Sequence, residues 1–170
     1  MSVLEIRKYG DPFLRRKTIP LERIDDRIRE IVYSMIDTMR DSKGIGLAAN
    51  QVGFIERICV IDTTKGEKKE DLLVLVNPEI VDRTGKVKLE EGCLSFPGIV
   101  EEIERAYKVK VKALNLEGKE MEIVGEDLLA RVLQHEIDHL NGILFIDYLH
   151  FVRKLVIQKK LNELKNIHKR

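Results

Sequence analysis

Gln134-His135-Glu136-Ile137-Asp138-His139-Leu140-Asn141-Gly142 decides how the rest of the 170-residue chain is read, because it carries His-Glu-x-x-His inside a stretch with helical periodicity. From Gly125 to Leu140 there is no proline and no internal glycine. Asp127 stands where an N-cap belongs, and Leu128, Leu129, Val132, Leu133, Ile137 and Leu140 recur at helical intervals. Gly142 follows as a stop. The pattern predicts one amphipathic or fully buried helix over residues 127–140. At about 100° per residue, His135 and His139 fall roughly 40° apart, above Leu128 and Val132, with Glu136 at the edge of that face. Two imidazoles and a carboxylate in apolar surroundings cost roughly 1–3 kcal/mol each if left without partners. A divalent cation removes that cost. The plain alternative is a helix with two surface histidines.

Outward from this helix, the composition fits one compact domain over residues 1–170. Hydrophobic residues make up 44% of the chain, enough for a sizeable core. Lys+Arg 30 against Asp+Glu 29 leaves a net charge of +1, which argues against a general nucleic-acid or membrane-surface binder. No run approaches 18 apolar residues, and the first ten residues lack the layout of a signal peptide, so a cytoplasmic location is expected. Of the two cysteines, Cys59 sits in the apolar run Ile58-Cys59-Val60-Ile61 and reads as core. Cys93 lies between Gly92 and Leu94 in a turn-rich segment, and a disulfide is not expected.

Asp11-Pro12-Phe13-Leu14 predicts a turn or short helix, and Asp25 to Ser42 a helix with an apolar stripe of Ile28, Ile31, Val32, Met35, Ile36 and Met39. The stretch Gly44-Ile45-Gly46-Leu47-Ala48-Ala49-Asn50-Gln51-Val52-Gly53 matches no phosphate-loop spacing. Its small residues suit either a tight turn in the core or a close approach of backbone to a ligand. Strands are predicted at 56–62, 71–77, 79–82, 86–90, 99–105, 108–115 and 119–124. Val109, Val111 and Ala113 alternate with Lys108, Lys110 and Lys112 as on a half-exposed antiparallel strand. Ile143-Leu144-Phe145-Ile146 reads as a short buried strand, and Tyr148 to about Ile167 as a final helix with a largely basic outer side. Helices and strands do not alternate regularly. The expected fold is α+β, with antiparallel sheets packed around a central metal-binding helix and a C-terminal helix.

Catalytic zinc-type sites take three protein ligands. The metzincin spacing would place the third at Phe145, which excludes that family. A thermolysin-like Glu would be Glu163, in a Lys-rich helix that looks solvated. Cys93 is the stronger candidate, since a metal stabilises its thiolate and the neighbouring glycines allow a close approach to the helix.

Three stretches taken together, Gly44–Gln51, Glu91-Gly92-Cys93-Leu94-Ser95 and Gln134–Leu140, resemble the three signature motifs of peptide deformylase in order and separation. The resemblance covers essentially the whole chain. It implies removal of the N-formyl group from the formylmethionine of nascent peptides, with release of formate. It also implies that Cys93, His135 and His139 bind the metal, that Glu136 is the general acid/base, and that the Gln51 amide and the Leu94 N–H stabilise the oxyanion. Ile45, Gly46 and Gly92 would hold the peptide backbone. An apolar pocket near Ile45, Leu89, Leu128, Val132 and His135 would take the methionine side chain, and Arg105 resembles a family position near the site. The implied metal is one Fe2+ per chain, replaceable by Zn2+, Ni2+ or Co2+. Ribosome docking through the basic terminal helix, Lys154–Arg170, is consistent with the same resemblance.

The chemistry needs these groups. A formamide is a poor electrophile, and a divalent metal lowers the pKa of bound water to about 7. Glu136 is placed to move that water's proton. Two other readings remain at this level. One is a metallopeptidase or other amidase using the same water chemistry. The other is a structural metal site in a binding protein whose basic helix contacts ribosomal RNA.

Overall fold

The computed structural model describes residues 2–169. Arg170, the end of the basic stretch, and Met1 lie outside the described residues. Among the described residues three helices, α1 (Asp26–Asp41), α2 (Asp127–Leu140) and α3 (Phe151–His168), accompany seven strands. The strands are β1 (Gly46–Ala48), β2 (Ile58–Ile61), β3 (Leu73–Thr84), β4 (Val87–Gly92), β5 (Val100–Arg105), β6 (Lys108–Leu114) and β7 (Glu120–Glu126). Short 3₁₀ turns span Pro12–Arg15, Ala49–Val52, Lys69–Asp71 and Phe145–Tyr148. The architecture is the expected α+β.

Five strands form one antiparallel sheet in the order β1-β2-β3-β6-β7, and β4 pairs with β5 in a separate ribbon. Helices cover both faces of the inner strands. Ile58 and Val60 of β2 pack with the apolar stripe of α1, whereas Cys59 and Ile61 pack with Val132, Leu133, Ile137 and Leu140 of α2. A strand covered on both sides has no reason to alternate, which is why Ile58–Ile61 is apolar throughout. Further along, only one face is covered. Val109, Val111 and Ala113 of β6 turn to α2, and the intervening lysines lie away from that core. A third cluster, containing Phe96, Ile103, Leu144, Phe145, Ile157 and Leu161, joins the β4–β5 ribbon to α3.

Helix α1 starts where the sequence places it, with the Asp25 carboxylate accepting the Ile28 N–H at 3.0 Å. Four expectations are corrected. Ile143–Ile146 is not a strand: Leu144, Phe145 and Ile146 are buried, but Asp147 closes a turn by accepting the Leu144 N–H at 2.9 Å, and Arg15 clamps it at 2.6 Å. A local side-chain bond of this kind competes with strand geometry. The two strands expected at 71–77 and 79–82 are one, β3, with irregular register between Val76 and Glu79. There Asn77 adopts φ +53° and its amide clasps Leu21 at both backbone groups, 2.8 Å each, so Pro78 falls at a bulge where a missing N–H is tolerated. Asp127 is not the N-cap of α2; Glu126 holds that position, and Asp127 itself takes φ +54°. The last helix begins at Phe151, since Tyr148 belongs to the turn before it.

From Ala130 to Leu140 every residue of α2 is buried, the polar ones included. Each of those polar groups needs a partner. Among the described residues no helix is long and apolar enough to cross a membrane.

Candidate metal centre and active site

His135 and His139, one turn apart on α2, face Cys93, which follows the last residue of β4. Their ligand atoms all lie within 4.8 Å of one another. The two Nε2 atoms are 3.1 Å apart, and Cys93 Sγ is 3.2 Å from His139 Nε2. Bonds of about 2.0–2.1 Å to nitrogen and about 2.3 Å to sulfur, meeting tetrahedrally, separate two nitrogens by about 3.3 Å and a nitrogen from a sulfur by about 3.5 Å. The observed spacings are a few tenths of an ångström shorter, so the three side chains fit a divalent ion.

The rings are oriented from behind. Glu91 Oε2 lies 2.7 Å from His135 Nδ1, which holds the proton there and leaves Nε2 for a metal. Burial favours a neutral His135, but Cys93 and Glu91 outweigh it and raise the basicity of the ring. The same electron-rich surroundings strengthen a metal ligand. Burial keeps His139 well below the usual imidazole range, and hence neutral. The backbone carbonyl of His139 accepts from the Asn50 amide, tying α2 to the turn after β1.

Glu91 is the hub of a buried charge network. Arg105 donates to it from Nε at 3.1 Å and Nη2 at 2.7 Å, and Arg131 from Nη1 at 3.0 Å. Burial alone would raise this carboxyl, but the bonds from His135 and Arg105 hold it well below the usual carboxylate range. Arg105 also pairs with Asp138, which accepts from the Tyr148 hydroxyl at 2.7 Å.

Glu136 stands apart from that network. Its Oε2 is buried without a hydrogen-bond partner among the described residues, and burial pushes its carboxyl up to about 7. A carboxyl poised near neutrality can both accept and return a proton. Gly46 makes room for it, since a Cβ there would stand 2.5 Å from Glu136 Oε1. Gln51 accepts the Ala48 N–H through Oε1 at 2.9 Å, which turns its Nε2 toward Ser95 Oγ at 3.0 Å and Cys93 Sγ at 3.6 Å.

A cleft of about 600 Å³ opens on this centre. Of the residues expected to form the site, Ile45, Gly46, Gln51, Gly92, Cys93, Leu94, Leu128, Val132, His135 and Glu136 line it, and His139 lies just beneath. Leu89 and Arg105 are not brought to the cleft. Leu89 is 44% exposed in mid-β4, before the residues that form the wall, and both ends of the Arg105 guanidinium are taken by Glu91 and Asp138. Sequence reasoning passed over the work of Glu91, Asn50 and Arg131. For Glu91 a signal existed: it stands two residues before Cys93, on the same side of an extended chain.

The sequence matches the polypeptide deformylase family over residues 3–154. It is 46% identical over 165 residues to a peptide deformylase of Thermodesulfovibrio yellowstonii, covering 97% of this chain and 100% of that one. It is 54% identical over 147 residues to a peptide deformylase of Thermoanaerobacter pseudethanolicus, covering 86% and 89%. The crystal structure of a peptide deformylase from Legionella pneumophila superposes with a TM-score of 0.91 at 44% identity, over 99% of each chain. The motifs, the site and the fold converge on one conclusion: the chain belongs to the polypeptide deformylases, metal-dependent hydrolases that remove the N-formyl group from newly made polypeptides.

Proposed function

We propose that Glu136 is the acid/base of this deformylase and that the formylmethionyl end of a nascent polypeptide binds as an added strand between β1 and β4. Cys93, His135 and His139 hold the metal, which when bound supplies the Lewis acidity that makes water acidic near neutral pH. Glu136 takes the proton from the attacking water and returns it to the amine that leaves. Gln51 Nε2 and the Leu94 N–H donate to the oxygen on which charge develops; losing one such donor typically costs roughly 100-fold in rate. The backbones of Ile45, Gly46 and Gly92 pair with the extended substrate, since β1 and β4 each leave one edge free. The methionine side chain enters the wall made by Ile45, Leu128, Val132 and His135, where its burial contributes roughly 1.5–3 kcal/mol. Arg105 acts at one remove, by holding Glu91 against His135, and Leu89 stands outside the wall.

The working ion is assigned as Fe2+, one per chain, with Zn2+, Ni2+ or Co2+ able to replace it. A thiolate with two imidazoles suits all four. Residues 1–170 act as a single catalytic domain in the cytoplasm, and the basic side of α3, where Lys159, Lys160 and Lys165 are exposed, offers a contact to the ribosome.

The convergence of Cys93, His135 and His139 beside Glu136, whose Oε2 has no hydrogen-bond partner among the described residues, carries this reading. Its test is formate release from formyl-Met-Ala-Ser by anaerobically purified protein, with bound metal measured in the same sample. About one equivalent of iron together with formate is expected. Glu136→Gln should abolish turnover and retain the metal; turnover that survives the substitution overturns the assignment.

A further inference from the structure

Beyond Gly46 the cleft adjoins a smaller recess of about 110 Å³, with which it shares Lys43, Gly44 and Lys65. Met39, Arg40 and Asp62 complete the recess. Its charges do not balance. Burial would raise the Asp62 carboxyl, but its bonds from Thr64 N at 3.1 Å and Oγ1 at 2.9 Å, with Arg40 3.7 Å away, keep it low and ionised. Asp62 therefore offsets Arg40. Lys43 and Lys65 are exposed, and neither forms an ion pair among the described residues. Two cationic charges remain at the mouth. Tight turns fix where their backbones stand: both take left-handed φ, +56° and +54°, with Lys43 N donating to Arg40 O at 3.0 Å and Lys65 N to Asp62 O at 3.3 Å. Lys8, the other lysine on the cleft wall, is occupied by the Leu94 carbonyl at 3.0 Å.

Chain direction decides which part of a substrate meets this charge. The segment runs from Lys43 through Gly44 and Ile45 to Gly46, which lies against Glu136, and on to Gln51. A peptide whose formyl end is at Glu136 and which pairs along this edge leads back toward Lys43. Lys43, Gly44, Ile45 and Gly46 all line the cleft, so a peptide that follows this wall away from Gly46 comes to Lys43 at about its third residue.

We propose that the recess is a specificity pocket for an acidic side chain at the third residue of the formyl peptide, with Lys43 and Lys65 as its charged walls. This rests on the substrate path proposed above. The test compares kcat/KM for formyl-Met-Ala-Glu-Ser, formyl-Met-Ala-Gln-Ser and formyl-Met-Ala-Lys-Ser at low ionic strength. Two exposed ion pairs of ordinary strength predict that Glu exceeds Lys by about fivefold to tenfold, with Gln between. The ratio should collapse toward one in about 0.5 M salt and invert in Lys43→Glu/Lys65→Glu. A wild-type ratio near one, or a Glu preference that neither salt nor the double substitution weakens, overturns the pocket. If the double variant fails to fold, the wild-type ratio and its salt dependence decide. Failure to deformylate even the Gln peptide overturns the substrate path and the pocket with it, whereas equal turnover of all three removes the pocket alone.

Discussion

Glu91→Gln keeps the shape of the side chain and takes away its charge, which isolates what the carboxylate does behind the metal centre. Four nitrogens converge on it, from Arg105, Arg131 and His135, at 2.7 to 3.1 Å. All four residues are less than a tenth exposed. Removing one partner from a buried charge pair costs roughly 3–5 kcal/mol, because the remaining charge stays out of water. Here two substitutes limit the loss. Arg105 keeps Asp138, and Arg131 keeps the carbonyls of Val87 and Ile103, each at 3.0 Å. The expected cost is therefore at the low end, about 3 kcal/mol, which for a chain of this size lowers Tm by roughly 6–12 °C. The second effect falls on the metal. An amide holds the His135 Nδ1 proton less firmly than a carboxylate, and weakening such a support typically costs about 10- to 100-fold in metal affinity. Thermal unfolding in excess chelator reads the first effect without the second. Competition with a chromophoric chelator reads the second. Wild-type Tm in chelator together with wild-type affinity would refute the account of Glu91 as the hub.

Two further substitutions probe close backbone approaches. Gly46→Ala puts a methyl 2.5 Å from Glu136 Oε1 and 2.9 Å from Val132 Cγ1, so the Glu136 carboxyl must move. A displacement near 1 Å costs about 100-fold in kcat/KM, with metal content retained; near-normal turnover would show that Glu136 has slack. Gly142→Ala combines a backbone at φ +73° with a Cβ 2.5 Å from the Arg15 carbonyl oxygen. The strained backbone alone costs about 1–3 kcal/mol, so the urea midpoint should fall, and an unchanged midpoint would contradict the packing described for that turn.

The helix carrying His135 and His139 was legible because its signal is local: ligand types at one-turn spacing, on a segment with helical periodicity. The stripe of α1 and the alternation of β6 were legible for the same reason. The place of Glu91 beside Cys93 left a signal, but its role as hub did not, because its donors come from positions 14, 40 and 44 residues further along the chain. Arg105 is recognisable as close to the site, but only the fold shows that it reaches the metal centre through Glu91. Ile143–Ile146 misled because a four-residue apolar run has no period of its own, and a single carboxylate, Asp147, turned it into a 3₁₀ corner. Asn77 likewise gave no local hint that its amide would be clasped by Leu21, far back in the chain.

The open edge of β1 has a consequence for how this protein survives at high concentration. An unpaired strand edge is a template for any extended chain, another copy of the same protein included, and most folds hide or shorten such edges. On the substrate path proposed above, this chain keeps one open, because an extended peptide is to pair there. It limits the hazard by size and setting. The strand is only three residues long, and it lies in a cleft with β4 opposite rather than on an open face. Two glycines, Gly44 and Gly46, supply no side chain around which a second sheet could interdigitate. A flexible peptide end can thread into that slot, and the rigid edge of a folded neighbour cannot. On that path, the geometry that admits a nascent chain also excludes a finished one.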